Sequence, residues 1–429
     1  MYLLQIIIIM ISILILTSCN DSGIEEVKLS PAEVQTDRRL NGLIRESGLV
    51  AVNNSAQFNN LTELGKKLFN DKNLSGNRDI SCSSCHDPNF GTSDSLALSI
   101  GTGATGEGPN RVQINSNSKT IRRHSPQLFN LGQDEQEMAF YDGRVQMRNG
   151  ILTTPVSINA NISSLLTSAL DAQTIFPLLS NDEMLGQLNS NDLATSSDNH
   201  TIWDNIMSRR VLIDTDYLTL LQSAYPTTQT YNIGHIGRAL GEFIKNEFLV
   251  SNTPYDKYIL GDTSALNLSQ KRGLEVFLTR GQCIQCHSGP NLTDNQLHSV
   301  GVPHIYPSLS SNSDDTGREE VTGLSSDRYR FKTPGLRNIS KTSPFMHNGS
   351  IKTLEDVVNH YNNIGNSLSN YQISPDLQAS YQEEILVDKN FARQTNRFNA
   401  IDNRRLRSGL NLSSQERTDL VNFMKSLSN

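Results

Sequence analysis

Five cysteines stand in this chain of 429 residues, and four of them fall into two pairs of identical spacing. Cys82-Ser83-Ser84-Cys85-His86 and Cys283-Ile284-Gln285-Cys286-His287 both read C-x-x-C-H. Two thiols at this spacing, followed at once by an imidazole, suit covalent attachment of c-type haem. The thiols add to the vinyl groups of the porphyrin, and the adjacent His reaches the iron. A zinc site or a redox-active C-x-x-C would use the same thiols. Neither needs a His directly after each second Cys, and paired zinc knuckles do not normally lie so far apart in a chain. The reading is two haem c groups, one on each motif.

The fifth cysteine, Cys19, follows an apolar run over residues 2–17 that ends in small residues. That pattern reads as a lipoprotein signal over 1–19, with Cys19 acylated and the mature chain held at a membrane face. The run lacks a Lys or Arg before it, so an uncleaved N-terminal anchor is the alternative. Either way the rest is exported to the cell envelope, periplasmic or surface-facing. No other apolar run is long, which excludes a polytopic membrane protein. The net charge of −7 carries no basic excess and disfavours a nucleic-acid partner. A hydrophobic share of 36% is enough for a sizeable core and argues against wholesale disorder.

The elements that must hold the two motifs are mostly helical. Leu61, Leu64, Leu68 and Phe69 fall on one face of a helix leading into the first motif. Gly273, Val276 and Phe277 precede the second motif much as Gly65, Leu68 and Phe69 precede the first, a weak internal repeat. After the motifs come His86-Asp87-Pro88-Asn89…Asp94 and His287-Ser288-Gly289-Pro290-Asn291…Asp294. Residues 91–123 and 305–327 read as long loops, and long loops in compact domains are usually functional. Helical runs are expected around Leu165–Leu170 and Met184–Leu188, over 233–248, over 353–361 and over 413–427. Ser413 to Glu416 supplies a cap for the last of these. The expected class is mainly α, with two cytochrome c-like haem domains. The divisions are a tether with one short helix over 20–56, an N-terminal haem domain over 57–250 and a C-terminal one over 251–429.

Three further motifs carry a resemblance. Phe331-Lys332-Thr333-Pro334-Gly335-Leu336-Arg337-Asn338 looks like F-K-T-P-x-L-R-N. Thr342-Ser343-Pro344-Phe345-Met346-His347-Asn348-Gly349-Ser350 looks like T-x-P-Y-x-H-D-G-S, and Phe140-Tyr141-Asp142-Gly143-Arg144 is similar to F-W-D-G-R. With the two C-x-x-C-H motifs, the chain resembles the bacterial dihaem cytochrome c peroxidase and MauG family over about residues 60–427. That resemblance implies a peroxidatic haem on the first motif and an electron-transfer haem on the second. It also implies a Glu over the open face of the first haem, ten residues after a Gln and six after a Pro. Gln173, Pro177 and Glu183 reproduce both intervals, past an apparent insertion within 143–172. An alignment without the insertion would put Pro155 and Asn161 there instead. The family's sixth ligand on the second haem falls nineteen residues after Thr342, at Tyr361, with His360 and Met346 as rivals. Members of the MauG type carry Tyr at this place. No His stands between His86 and His124, so the first haem is expected to be open without activation, unless His124 ligates it. The family's inter-haem Trp is Tyr141 here. A structural calcium is implied at the carbonyls of Thr342 and Pro344, weakened by His124 where the family often has Asn. Of the other histidines, His235 reads as packed core and His347 as a hydrogen-bonding neighbour of the second haem. His200, His298 and His304 carry no signal, and Trp203 reads as core.

The function implied is reduction of hydrogen peroxide with electrons from a small c-type cytochrome or similar donor. The alternatives are MauG-like oxidation of a protein side chain by long-range electron transfer and a dihaem electron carrier without catalysis. A homodimer is an open possibility.

Overall fold

The computed structural model describes residues 30–52, 54–114, 118–133, 136–308, 314–378 and 381–429. The expected signal and Cys19 lie outside these residues. Among them no helix is long and apolar enough to cross a membrane. The chain is mainly helical, with four small sheets of two or three strands.

Two helix pairs carry two hydrophobic cores. In the first, Leu64, Leu68 and Phe69 of the helix Asn60–Asn70 pack on Ile236, Leu240 and Phe243 of the helix Ile233–Glu247. In the second, Leu274, Val276 and Phe277 of the helix Leu268–Leu278 pack on Leu420, Phe423 and Met424 of the helix Ser414–Lys425. The internal repeat is structural. A Cβ on Gly65 would sit 2.1 Å from the Ala239 carbonyl oxygen, and one on Gly273 would sit 1.9 Å from that of Asp419. Each glycine lets the helix before a C-x-x-C-H motif lie directly against the backbone of its partner.

Several expectations need adjustment. Of the stretch read as a tether, Pro31–Ser47 forms a helix of 17 residues, opened by a Ser30–Glu33 capping box. It docks on the second core through fully buried Leu40. Asp37 accepts from Lys271 Nζ at 3.0 Å and from the Tyr258 hydroxyl at 2.8 Å. The surrounding polar sequence hides this face. The insertion within 143–172 starts with a hairpin, Val145–Arg148 against Ile151–Thr153. Asn149 and Gly150 both have positive φ, the turn geometry that matches strand twist. The expected helical run at Met184–Leu188 is a single π-type turn, Asn181–Leu185. Trp203 is buried and donates to the Ile175 carbonyl at 3.2 Å, as a core indole should. His235 is likewise packed, between the rings of Tyr225 and Tyr231.

Candidate active site

The first motif forms a helical turn, Cys82–Cys85, from which His86 follows with its amide donating to the Cys82 carbonyl at 2.9 Å. The His86 Nδ1–H donates to the Thr92 carbonyl at 3.0 Å. That bond fixes the tautomer and leaves Nε2 free to act as a ligand. The cavity lined by Cys82, Cys85 and His86 is lined also by Gln173, Pro177 and Glu183, and by Phe140, Tyr141 and Arg144. Gln173 ends the short helix Ala169–Gln173, which Ser168 caps. Glu183 sits in the π-type turn, whose backbone is gripped from the segments before and after the motif. The Thr102 amide donates to the Glu183 carbonyl at 2.9 Å, and the Gly76 amide to the Met184 carbonyl at 2.8 Å. Burial pushes the Glu183 carboxyl up, Arg144 and Arg123 pull it down, and Asp182 pushes it up. The net is a carboxyl above its ordinary range. Pro155 and Asn161, the alternative pair, are both exposed and do not line this cavity.

The second motif repeats the arrangement. The His287 amide donates to the Cys283 carbonyl at 2.8 Å, and its Nδ1–H to the Leu292 carbonyl at 2.8 Å. The cavity around Cys283, Cys286 and His287 is largely apolar, with Leu336, Phe345 and Met424 in its wall. Tyr361 lines it and His360 does not. His360 is buried, with Nδ1 against the Ser367 hydroxyl at 2.8 Å and Nε2 against the Val300 carbonyl at 3.1 Å. Both of its nitrogens are therefore engaged. Met346 is also on the wall.

Tyr141 and His124 line both cavities. The Tyr141 carbonyl accepts from the Lys332 amide at 2.7 Å, so the F-Y-D-G-R and F-K-T-P segments are joined here. The Tyr141 ring lies 6.4 Å from that of His347, which stacks on Phe331 at 3.6 Å. His124 contacts the Leu96 carbonyl through Nδ1 at 2.7 Å and the Ser93 hydroxyl through Nε2 at 3.1 Å. Burial pushes its pKa down to about 4, so it is a neutral wall residue whose nitrogens are both occupied.

A family model described as di-haem cytochrome c peroxidase matches residues 59–264. The cytochrome c551 peroxidase of Pseudomonas aeruginosa is 28% identical over 73% of this chain and 74% of its own. The MauG protein of Methylorubrum extorquens is 27% identical over 70% of this chain and 67% of its own. The chain is similar to the dihaem cytochrome c peroxidase and MauG family. That is a family of oxidoreductases. Its fold is also that of a solved MauG-like protein associated with microbial copper homeostasis, with a TM-score of 0.59 at 24% identity. That match covers 89% of this chain and 93% of the other. The diheme peroxidase BthA of Burkholderia thailandensis superposes with a TM-score of 0.56 at 21% identity, over 86% of each chain.

The residues present fit the family's haem c. All four motif cysteines are free thiols lining the two cavities. Burial pushes the Cys82 and Cys283 thiols up to about 12, as buried, uncharged groups on an apolar wall. The four do not converge: among the described residues, the one group of metal-type side chains is Cys286, Asp294 and His298. Thr342 and Pro344, whose carbonyls the resemblance assigns to calcium, line the second cavity, and His124 brings no side-chain oxygen to add to them.

Three wall residues escaped sequence reasoning. Arg144 was visible only as a motif letter. Lys332 lines the second cavity, and burial alone pushes its ammonium down to about 8. His298 lines the same cavity and pairs with Asp294 at 2.7 Å. Its signal was the Asp repeated after each motif.

Proposed function

We propose that this chain is a dihaem c-type peroxidase that reduces hydrogen peroxide with electrons from a small c-type cytochrome or similar donor. The observation that carries the reading is Glu183, on the wall of one cavity with Gln173, Pro177 and His86. Haem c on the first motif, when bound, supplies an iron at which peroxide can be reduced. Glu183 then accepts a proton from one peroxide oxygen and returns it to the oxygen that leaves as water. A carboxyl raised by burial is suited to both halves of that transfer near neutral pH. Gln173 orients the peroxide, and Pro177 with Phe140 keeps the wall apolar and excludes water. Tyr141, shared by both cavities, relays electrons between them, with loss of its phenolic proton on oxidation. On this reading His287 and Tyr361 would hold the iron of the second haem.

The same reading takes 57–250 and 251–429 as two cytochrome c-like haem domains and the mature chain as an envelope lipoprotein on Cys19. The MauG-like alternative, oxidation of a protein side chain, is favoured by one observation: a phenol, Tyr361, stands at the second cavity. The test is titration of the purified ferric protein with hydrogen peroxide, followed by absorption and EPR. Loss of a high-spin signal with one equivalent, then oxidation of a ferrous cytochrome c, supports the peroxidase. Fast reaction without cytochrome turnover favours the MauG-like activity. Two low-spin haems indifferent to peroxide leave an electron carrier and overturn the role of Glu183.

A further inference from the structure

The first cavity contains a fixed cation besides its carboxylate. Arg144 lines the same space as Glu183. Its guanidinium lies 3.6 Å from the centroid of the Phe140 ring and donates to Asp142 Oδ2 at 2.8 Å. Asp142 is buried and shares that oxygen with Arg123 Nη1 at 2.6 Å. Arg123 turns its other edge to Asp315, with Nε to Oδ2 at 2.7 Å and Nη2 to Oδ1 at 2.8 Å. From the same stretch as Asp315, Arg318 donates to the carbonyls of Asp142 and Gly143 at 3.1 and 2.7 Å. The turn that carries Arg144 is therefore held from the half of the chain that bears the second motif.

Building on the reading of Glu183 as proton carrier, we propose that Arg144 is the positioning residue of the peroxide step. It is a cation clamped by Phe140 and Asp142 that keeps Glu183 a carboxylate when peroxide arrives, and it is held in place through Arg123 and Asp315.

The charged groups acting on Glu183 are few. Arg144 and Arg123 favour its ionised form, while Asp182 on its own turn and burial oppose it. Asp142 is already shared between two guanidinium groups, so it adds little negative potential. Within a pocket of low dielectric a fixed charge acts more strongly than in water. The stack on Phe140 and the pair with Asp142 remove the side-chain freedom that would otherwise dilute the effect.

The test uses the holoprotein. The single-turnover rate with hydrogen peroxide is followed by stopped-flow absorption across pH, with haem content and ferric spectrum recorded for each variant. The base must be ionised to take the proton, so the rate falls on the acid side as Glu183 protonates. In Arg144→Met that limb moves to higher pH by about one unit, the shift expected for losing one nearby opposite charge. Arg144→Lys restores part of the shift, because it keeps the charge and loses the planar fork. Asp315→Asn moves the limb in the same direction by less. An unmoved limb in Arg144→Met with native haem content and spectrum overturns the proposal. So does a change confined to the first haem's midpoint potential, which would assign Arg144 to the haem itself. If Arg144→Met takes up no haem, Arg144→Lys and Asp315→Asn decide by the same criterion. A limb that persists in Glu183→Gln instead overturns the role of Glu183, a failure distinct from an unmoved limb in Arg144→Met.

Discussion

Replacing Glu183 by Gln keeps the shape of the cavity wall and removes only the group that can carry a proton. A positioned acid–base group contributes roughly 10²–10⁴-fold, so the peroxide rate constant should fall by that factor in Glu183→Gln, with haem content unchanged. Stopped-flow absorption at one pH is sufficient to read it. The second cavity offers a paired comparison. Tyr361 lies on its wall, whereas both nitrogens of His360 are spent on Ser367 and Val300. Tyr361→Phe should change the ferric spectrum of the second haem, because it deletes the oxygen and keeps the ring. His360→Gln should leave that spectrum as it was. If His360→Gln alters the spectrum and Tyr361→Phe does not, the ligand assignment is wrong. At this scale the sequence was most informative where chemistry imposes spacing: C-x-x-C-H, and the Gln–Pro–Glu intervals. It was least informative for Arg144, Lys332 and His298, whose importance depends on which cavity they reach.

Helices were legible wherever one face is apolar, as in Asn60–Asn70, Ile233–Glu247 and Ser414–Lys425. The helix Pro31–Ser47 was underestimated for the converse reason. Its anchoring face is partly polar, with Thr36 and Asp37 buried beside Leu40, and it reads as polar until Lys271 and Tyr258 are brought to it. Asp37→Asn tests that anchor. It would leave the Lys271 ammonium, fully buried, without its carboxylate, and breaking one partner of a buried pair costs about 3–5 kcal/mol. Thermal unfolding should register this as a drop of several degrees. The glycine contacts make a sharper statement. Gly65→Ala and Gly273→Ala each drive a methyl into a backbone carbonyl, which a flexible side chain cannot relieve. Both should destabilise by at least the ~1–3 kcal/mol typical of overpacking. Each should also lower haem incorporation at the motif its helix leads into, read as the haem-to-protein absorbance ratio. Equal, full haem content in both variants would mean that the close helix crossing has no part in presenting the motifs.

Across the whole molecule, buried histidines set a directional dependence on pH. Burial pushes His124 and His360 down to about 4 and His347 to about 3, below the ordinary value of 6.5. Below that value the unfolded chain binds protons that the folded chain refuses, so stability rises with pH over this range. Acidification from pH 6.5 towards 4 therefore removes stability at three buried places at once. His298 acts in the opposite sense. Its bonds to Asp294 and Asp402 raise it to about 11, so its contribution is complete below pH 6.5 and is lost as pH climbs towards 11. The two effects meet near neutrality, and the holoprotein should show its highest unfolding temperature there. His298→Gln separates them: it should lower the unfolding temperature at pH 6 and flatten the decline on the alkaline side, while the acid side keeps its slope. A differential scanning series from pH 4.5 to 9.5 reads both limbs. An acid limb that also flattens in His298→Gln would mean that the three buried histidines are not its source.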